Sequence, residues 1–106
     1  MVDEKDYEMA FQIITVAGTA RSLAMEARKY AREAKFEQAK QALKQAKDEY
    51  IKSHQIQTDM LTKEASGEKN DVNIILVHAQ DHLTMASMSI EDTKEFINLY
   101  ELIRRN

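Results

Sequence analysis

The chain contains no proline and only two glycines in its 106 residues, so almost nothing in it interrupts a helix. Ala, Glu, Lys, Gln, Leu and Met dominate the sequence, and these residues have the highest helix propensities. We therefore predict an all-α protein. The length corresponds to one domain, which we expect to span residues 1–106.

Two interruptions divide the predicted helical region. In the segment ASGEKND, residues 65–71, Gly67 can adopt the left-handed conformation that ends a helix, and Asn70 or Asp71 can cap the next one. The region before it is too long for one helix in a small protein, and its apolar pattern changes at REAKF, residues 32–36. The prediction is three antiparallel helices of about 30 residues, each about 45 Å long.

Apolar residues recur every three or four positions on each side of the first hinge, which is the spacing of a helix face. Before the hinge they are Phe11, Ile14, Ala17, Ala20 and Ala24, and after it they are Phe36, Ala39, Leu43, Ala46 and Tyr50. We expect both faces to be buried in the bundle.

The third helix, of about 34 residues, carries two apolar stripes. The first stripe consists of Val72, Leu76, Ala79, Leu83, Ala86 and Ile90. The second stripe consists of Ile74, Val77, Met85 and Met88, with Asp81 among them. Two stripes are more than a peripheral helix needs, so this helix either is central within a monomer or also lines a subunit interface. A thin bundle has little core per unit surface, which favours the interface.

The composition excludes several classes of function. The formal charge is −3, and acidic and basic residues alternate, so there is no basic stripe for nucleic acid. No apolar run approaches the roughly 20 residues that span a bilayer, and the acidic N-terminus lacks the basic start of a signal peptide. We therefore expect a cytoplasmic protein without membrane insertion. The absence of cysteine excludes disulfides, a Cys-ligated zinc and a thiol nucleophile in this chain.

The segment LVHAQDHL, residues 76–83, carries the candidate chemistry. His78, Asp81 and His82 lie at positions i, i+3 and i+4, so on a helix their side chains share one patch. Gln80 points elsewhere on the same helix and could face a neighbouring chain.

Three interpretations of this cluster stay open at the level of the residues. Two imidazoles four positions apart can bind a divalent metal, although Ala79 stands where the zinc-protease signature has its glutamate base. A neutral imidazole nitrogen can also accept and release a phosphoryl group, with Gln80 and His82 as hydrogen-bond donors for its oxygens. The third interpretation is purely structural. His54 stands apart on the second helix, where we expect a partly exposed residue without a catalytic role.

The HAQDH segment, with ILV before it and LTMASM after it, resembles the active-site helix of a bacterial protein family. That family is the lactose/cellobiose (N,N′-diacetylchitobiose)-type IIA component of the sugar phosphotransferase system. The segments AGTARSLAMEA, residues 17–27, and HQIQTDMLTKEASGE, residues 54–68, are similar to the family's first helix and to the end of its second helix. The resemblance covers nearly the whole chain in the same order.

The resemblance implies a three-helix, up-down-up fold and a homotrimer assembled through the third helices. It implies that His78 accepts a phosphoryl group from phospho-HPr and passes it to a cysteine of the cognate IIB component. We expect Gln80 and His82 to be supporting hydrogen-bond donors for this group. It also implies that three copies of Asp81 surround a divalent metal ion, usually taken as magnesium. The sugar is then phosphorylated downstream, as the membrane-spanning IIC component takes it up.

Two features depart from the family pattern. Relatives often have Gly-Asp at the first hinge, where this chain has Ala34 and Lys35, and many have methionine where it has Thr84. Neither change touches the HAQDH segment.

The alternative function is a non-catalytic helical interaction or metal-binding module with structural histidines. Phosphorylation by the upstream phosphotransferase proteins distinguishes the two functions, because only the phosphocarrier accepts the group.

Overall fold

The computed structural model describes residues 4–67 and 74–105, which form three helices. They are α1 (Glu4–Arg32), α2 (Phe36–Ala65) and α3 (Ile74–Arg105), and these described residues contain no strand. The bundle is elongated, with principal extents of 58 × 20 × 16 Å. The all-α prediction and the division into three long helices are confirmed.

The first helix, α1, is central, because it packs extensively against both α2 and α3, which contact each other less. Its buried face repeats every three or four residues and is almost entirely alanine: Ala10, Ile13, Ala17, Ala20, Ala24, Ala27 and Ala31. Small side chains let neighbouring helix backbones approach closely, and this spacing is typical of bundles with knobs-into-holes packing.

The predicted face of α1 is wrong at its N-terminal end. Phe11 is 54% exposed and Ile14 is half-buried, while Ala10 and Ile13 occupy the core positions. From Ala17 onward the predicted face and the buried face coincide. The predicted residues and the buried residues both have helical spacing, so the pattern alone does not choose between them. The close-packed core takes Ala10 and leaves the much larger Phe11 outside.

The faces predicted for α2 and for the first stripe of α3 are confirmed. On α2, the buried members are Ala39, Leu43 and Ala46, with Phe36 and Tyr50 half-buried. On α3, the buried members are Ala79, Leu83, Ala86 and Ile90, with Leu76 half-buried.

A polar contact fastens α1 to α3 within this largely apolar interface. Arg28 Nε donates a hydrogen bond to Thr93 Oγ1 at 2.7 Å, and Arg28 Nη2 donates to the backbone oxygen and to Oγ of Ser89 at 3.1 and 3.2 Å. The guanidinium carbon also lies 5.1 Å from the ring centroid of Phe96. Because a buried polar group without a partner costs free energy, these bonds favour one axial register between the two helices.

The first turn is a Schellman motif built without glycine. Ala34 has a φ of 63°, in the left-handed region. Lys35 N–H donates to Tyr30 O at 2.8 Å, and Ala34 N–H donates to Ala31 O at 3.0 Å, which is the hydrogen-bond pattern of this motif. The hinge predicted at residues 32–36 is therefore confirmed, and alanine in the left-handed position explains why no glycine marks it.

The second turn begins at Gly67, whose φ of 104° confirms the predicted left-handed conformation. Its N–H donates to Glu64 O at 3.2 Å, which satisfies one of the last carbonyls of α2. The predicted caps Asn70 and Asp71, and Val72 of the first stripe, lie outside the described residues.

Candidate functional site

The two histidines of the HAQDH segment meet on the surface of α3. His78 Nε2 lies 3.1 Å from His82 Nε2, and the two rings are perpendicular with their centroids 4.5 Å apart. The i to i+4 spacing on a helix brings the side chains together. His78 is exposed and His82 is half-buried. Only one ring can donate across this contact, so the other ring presents a nitrogen lone pair there.

Asp81 lies exposed in the middle of the second stripe. The apolar members of that stripe are also exposed, from 37% for Met85 to 83% for Ile74. The Asp81 carboxylate makes no hydrogen bond or ion pair with any described residue. A carboxylate within a row of exposed large apolar side chains marks a surface that a single chain leaves uncovered.

Gln80 turns toward α2 and away from His78. Residues two positions apart are separated by about 200° around a helix, so His78 and Gln80 lie on opposite flanks of the second stripe. Gln80 Oε1 accepts a hydrogen bond from Nε2 of Gln57, a residue of α2, in a half-buried position. The structure thus brings His78 and His82 together, and it separates Gln80 of the same chain from them.

A groove of about 200 Å³ lies beside Gln80, between α2 and α3. Its walls are mainly apolar, and its lining residues are Gln57, Met60, Leu61, Glu64, Leu76, Val77 and Gln80. Apolar walls limit the competition of water for the hydrogen bond between the two glutamines, which strengthens it.

Sequence comparison assigns the chain to a family. The family described as "PTS system, Lactose/Cellobiose specific IIA subunit" matches residues 8–101. The chain belongs to this family. The lichenan-specific phosphotransferase enzyme IIA component of Bacillus subtilis is 42% identical over 103 residues, which cover 96% of this chain and 93% of that protein. The N,N′-diacetylchitobiose-specific EIIA component of Escherichia coli K12 is 35% identical over 97 residues, which cover 92% of this chain and 84% of that protein.

Solved structures of IIA proteins have the same fold. The crystal structure of the cellobiose-specific enzyme IIA from Bacillus anthracis superposes with a TM-score of 0.94 at 38% identity, and the match covers 100% of this chain and 96% of that one. The IIA(Chitobiose)–HPr complex of Escherichia coli, solved in solution, gives a TM-score of 0.79 at 33% identity, with 96% and 99% covered.

These matches confirm the family predicted from the HAQDH segment and its flanks. A IIA subunit is a phosphotransferase component of a sugar-uptake system, so the predicted class of enzyme is confirmed as well. The alternative, a non-catalytic helical module with structural histidines, is not favoured by a family match that spans most of the chain.

The described helices of this IIA subunit bear on the membrane and metal predictions. Across residues 4–67 and 74–105, no helix is long and apolar enough to cross a bilayer. Within the same part of the chain, no three His, Cys, Asp or Glu side chains form a group that could hold a metal ion.

The second stripe is longer than the sequence analysis predicted. Phe96, Leu99 and Ile103 continue the same face of α3 toward its C-terminal end, and each is more than 40% exposed. Their spacing follows the helical period of 3.6 residues, so the sequence pattern already contained this signal. Exposed apolar side chains therefore recur along nearly the whole length of α3, with the exposed Asp92 between Met88 and Phe96.

Gln57 and His54 lie on α2, outside the HAQDH segment. Gln57 was missed, because its partner Gln80 is 23 residues away on another helix and no local pattern marks the pair. His54, predicted to be partly exposed, is exposed on α2, with its ring centroid 5.8 Å from that of Tyr50.

Proposed function

We propose that this IIA subunit carries a phosphoryl group on His78, which accepts it from phospho-HPr and passes it to a cysteine of a IIB component. The observation that carries the proposal is the exposed His78 imidazole with a second ring nitrogen, His82 Nε2, 3.1 Å away. The Escherichia coli relative solved in complex with HPr supports the choice of donor.

Both steps of the relay are displacements at phosphorus. In the first, a nitrogen lone pair of His78 forms a bond to phosphorus, and the bond to the donor breaks with its electron pair leaving on the donor. In the second, a IIB thiolate forms the new bond, and the phosphorus–nitrogen bond breaks. No oxidant and no water are consumed, so the protein contributes positioning and stabilisation of the phosphoryl oxygens. His82 is close enough to His78 to donate a hydrogen bond to one of these oxygens.

The working form is a homotrimer assembled through α3. The exposed second stripe and its extension support this assembly, because they form an apolar surface too long for a helix that faces only water. In a closed ring of identical copies every interface is head-to-tail, so the His78 flank of one copy meets the Gln80 flank of the next. This symmetry argument supports Gln80 as a residue that donates a hydrogen bond to the phosphoryl group on the neighbouring copy.

Asp81 holds a divalent cation, Mg²⁺, on the trimer axis. The residue fits this role, because its carboxylate is exposed on the second stripe, has no partner among the described residues, and supplies the oxygen ligands that a hard cation prefers. The three copies of Asp81 would be the ligands. A bound divalent ion would offset most of the three like charges that otherwise repel each other in an apolar seam.

The relay takes place in the cytoplasm, and the sugar itself does not contact this protein. In this scheme the sugar is phosphorylated downstream, as the membrane-spanning IIC component takes it up. Relatives named for lichenan, lactose, cellobiose and chitobiose share the family, so the choice of sugar rests with the membrane component.

The test is intact-mass spectrometry after incubation with phosphoenolpyruvate, enzyme I and HPr. We expect one acid-labile phosphoryl group per chain, and none in His78→Ala, whose helical circular dichroism should match that of the wild type. His54→Ala is the matched control, because His54 is also an exposed helix residue but is not part of the proposed site. Acceptance by His78→Ala, or no acceptance by the wild type while HPr is phosphorylated, would overturn the proposal.

A further inference from the structure

The hydrogen bond between Gln57 and Gln80 fixes the orientation of a side chain that the relay uses. Gln57 Nε2 donates to Gln80 Oε1 across the α2–α3 contact. A carboxamide has one oxygen that accepts hydrogen bonds and one nitrogen that donates them. With the oxygen of Gln80 engaged by α2, its nitrogen is the group that remains available, since no described residue accepts a bond from it.

The orientation of this amide matters because phosphoryl oxygens only accept hydrogen bonds. An amide that presents its nitrogen stabilises the phosphoryl group, whereas one that presents its carbonyl oxygen repels it. A free glutamine side chain samples both orientations, and a fixed donor costs no reorganisation during the transfer. The mainly apolar groove beside the pair favours a stable bond over exchange with water.

We infer that Gln57 is a positioning residue that holds Gln80 with its nitrogen outward, so that Gln80 donates to the phosphoryl group on His78 of the neighbouring copy. This inference rests on the proposed histidine relay and on the donor role of Gln80. Gln57 touches neither the phosphoryl group nor His78 of its own chain, and it acts only through Gln80.

The variant that separates positioning from simple packing is Gln57→Glu. Glutamate has the same size and can still bond to Gln80, but a carboxylate only accepts, so Gln80 must turn its nitrogen inward and its carbonyl outward. If the bond only holds α2 and α3 together, phosphoryl transfer should be unchanged in this variant. If the bond positions Gln80, transfer should slow, because Gln80 then presents its carbonyl oxygen to the phosphoryl group. Gln57→Met, which removes the bond without imposing an orientation, should have an intermediate effect.

The experiment measures single-turnover phosphoryl transfer from phospho-HPr by rapid quench, over a range of HPr concentrations. We expect Gln80→Met to lower the maximal rate by about 10-fold to 100-fold, as for the loss of one charge-assisted donor. Gln57→Glu should lower the maximal rate by a similar factor, with the half-saturating HPr concentration unchanged. Gln57→Met should lower it less.

Two controls separate orientation from the added negative charge. Gln55→Glu adds the same charge to α2 at an exposed glutamine that bonds to Asp59 of its own helix, and it should transfer at the wild-type rate. In the Gln80→Met background, Gln57→Glu should have no further effect, because the residue through which it acts is gone. An equal loss in both backgrounds would assign the effect to charge and would overturn the inference.

The outcomes also distinguish this inference from the relay itself. Wild-type rates in Gln57→Glu, with His78→Ala inert, would overturn the positioning role and leave the relay intact. A wild-type chain that accepts no phosphoryl group would overturn the relay, and the positioning role with it.

Discussion

Thr93 offers the sharpest test of how the bundle is held together. Its side chain is fully buried on α3, where its hydroxyl accepts from Arg28 Nε at 2.7 Å and donates to Ser89 O at 2.6 Å. Thr93→Val keeps the shape of the side chain and replaces only the hydroxyl. The variant therefore removes the acceptor of Arg28 without opening a cavity.

The expected loss follows from the contacts. A hydrogen bond to a charged group contributes about 1.5–3 kcal/mol, and the added methyl group of valine returns up to about 0.8 kcal/mol of apolar burial. Arg28 keeps its two bonds to Ser89, so the guanidinium is not left without partners. We expect the free energy of unfolding to fall by about 1–2 kcal/mol.

The assay is urea unfolding followed by far-UV circular dichroism, at one fixed protein concentration because self-association adds to the measured stability. Thr58→Val is the matched control, since the Thr58 hydroxyl donates only to His54 O of its own helix, and it should change stability by less than about 0.5 kcal/mol. If Thr93→Val is no less stable than Thr58→Val, the contact between Arg28 and Thr93 does not stabilise the fold. Phosphoryl acceptance should be unaffected, because Thr93 lies about 22 Å along α3 from His78.

Two further predictions follow from the first turn and from the second stripe. Ala34→Gly should raise the free energy of unfolding by about 1 kcal/mol, because glycine adopts the observed φ of 63° without steric cost. Gly67→Ala, at a φ of 104°, should lower the free energy of unfolding. Thermal unfolding measures both variants, and a less stable Ala34→Gly would contradict the observed turn. Asp81→Leu should stay trimeric after chelation of divalent metal, because the substitution removes three like charges from an apolar seam. The wild-type trimer should weaken after the same treatment, because its three carboxylates then repel each other. Sedimentation velocity reports the assembly, and a monomeric Asp81→Leu would contradict the axial position of this residue.

The local features of the sequence determined the fold class, the turns and the family. The lack of proline predicts helices, a change of apolar pattern predicts the turn at residues 32–36, and Gly67 predicts the end of α2. The HAQDH segment and its flanks identified the family that the comparison confirmed. These signals succeed because helix propensity, helix breaking and short motifs depend on residues that are close in the chain.

Contacts between helices could not be predicted in this way. Arg28 meets Thr93 across 65 positions, and Gln57 meets Gln80 across 23 positions, with no local pattern that marks either pair. Each pair depends on the axial register and rotation of two helices, which all of their side chains set together.

The apolar faces of the helices depend both on the local sequence pattern and on contacts between helices. Periodicity showed that α3 has two apolar stripes, but only the packing of α1 decided that the first is buried and the second remains exposed. On α1 the same periodicity allowed Phe11 in the core, but the packing of the helices buries Ala10 and leaves Phe11 exposed. The sequence determines which faces of a helix are apolar. The tertiary structure decides which of these faces are buried within one chain, because burial depends on the shape and distance of the opposing helix.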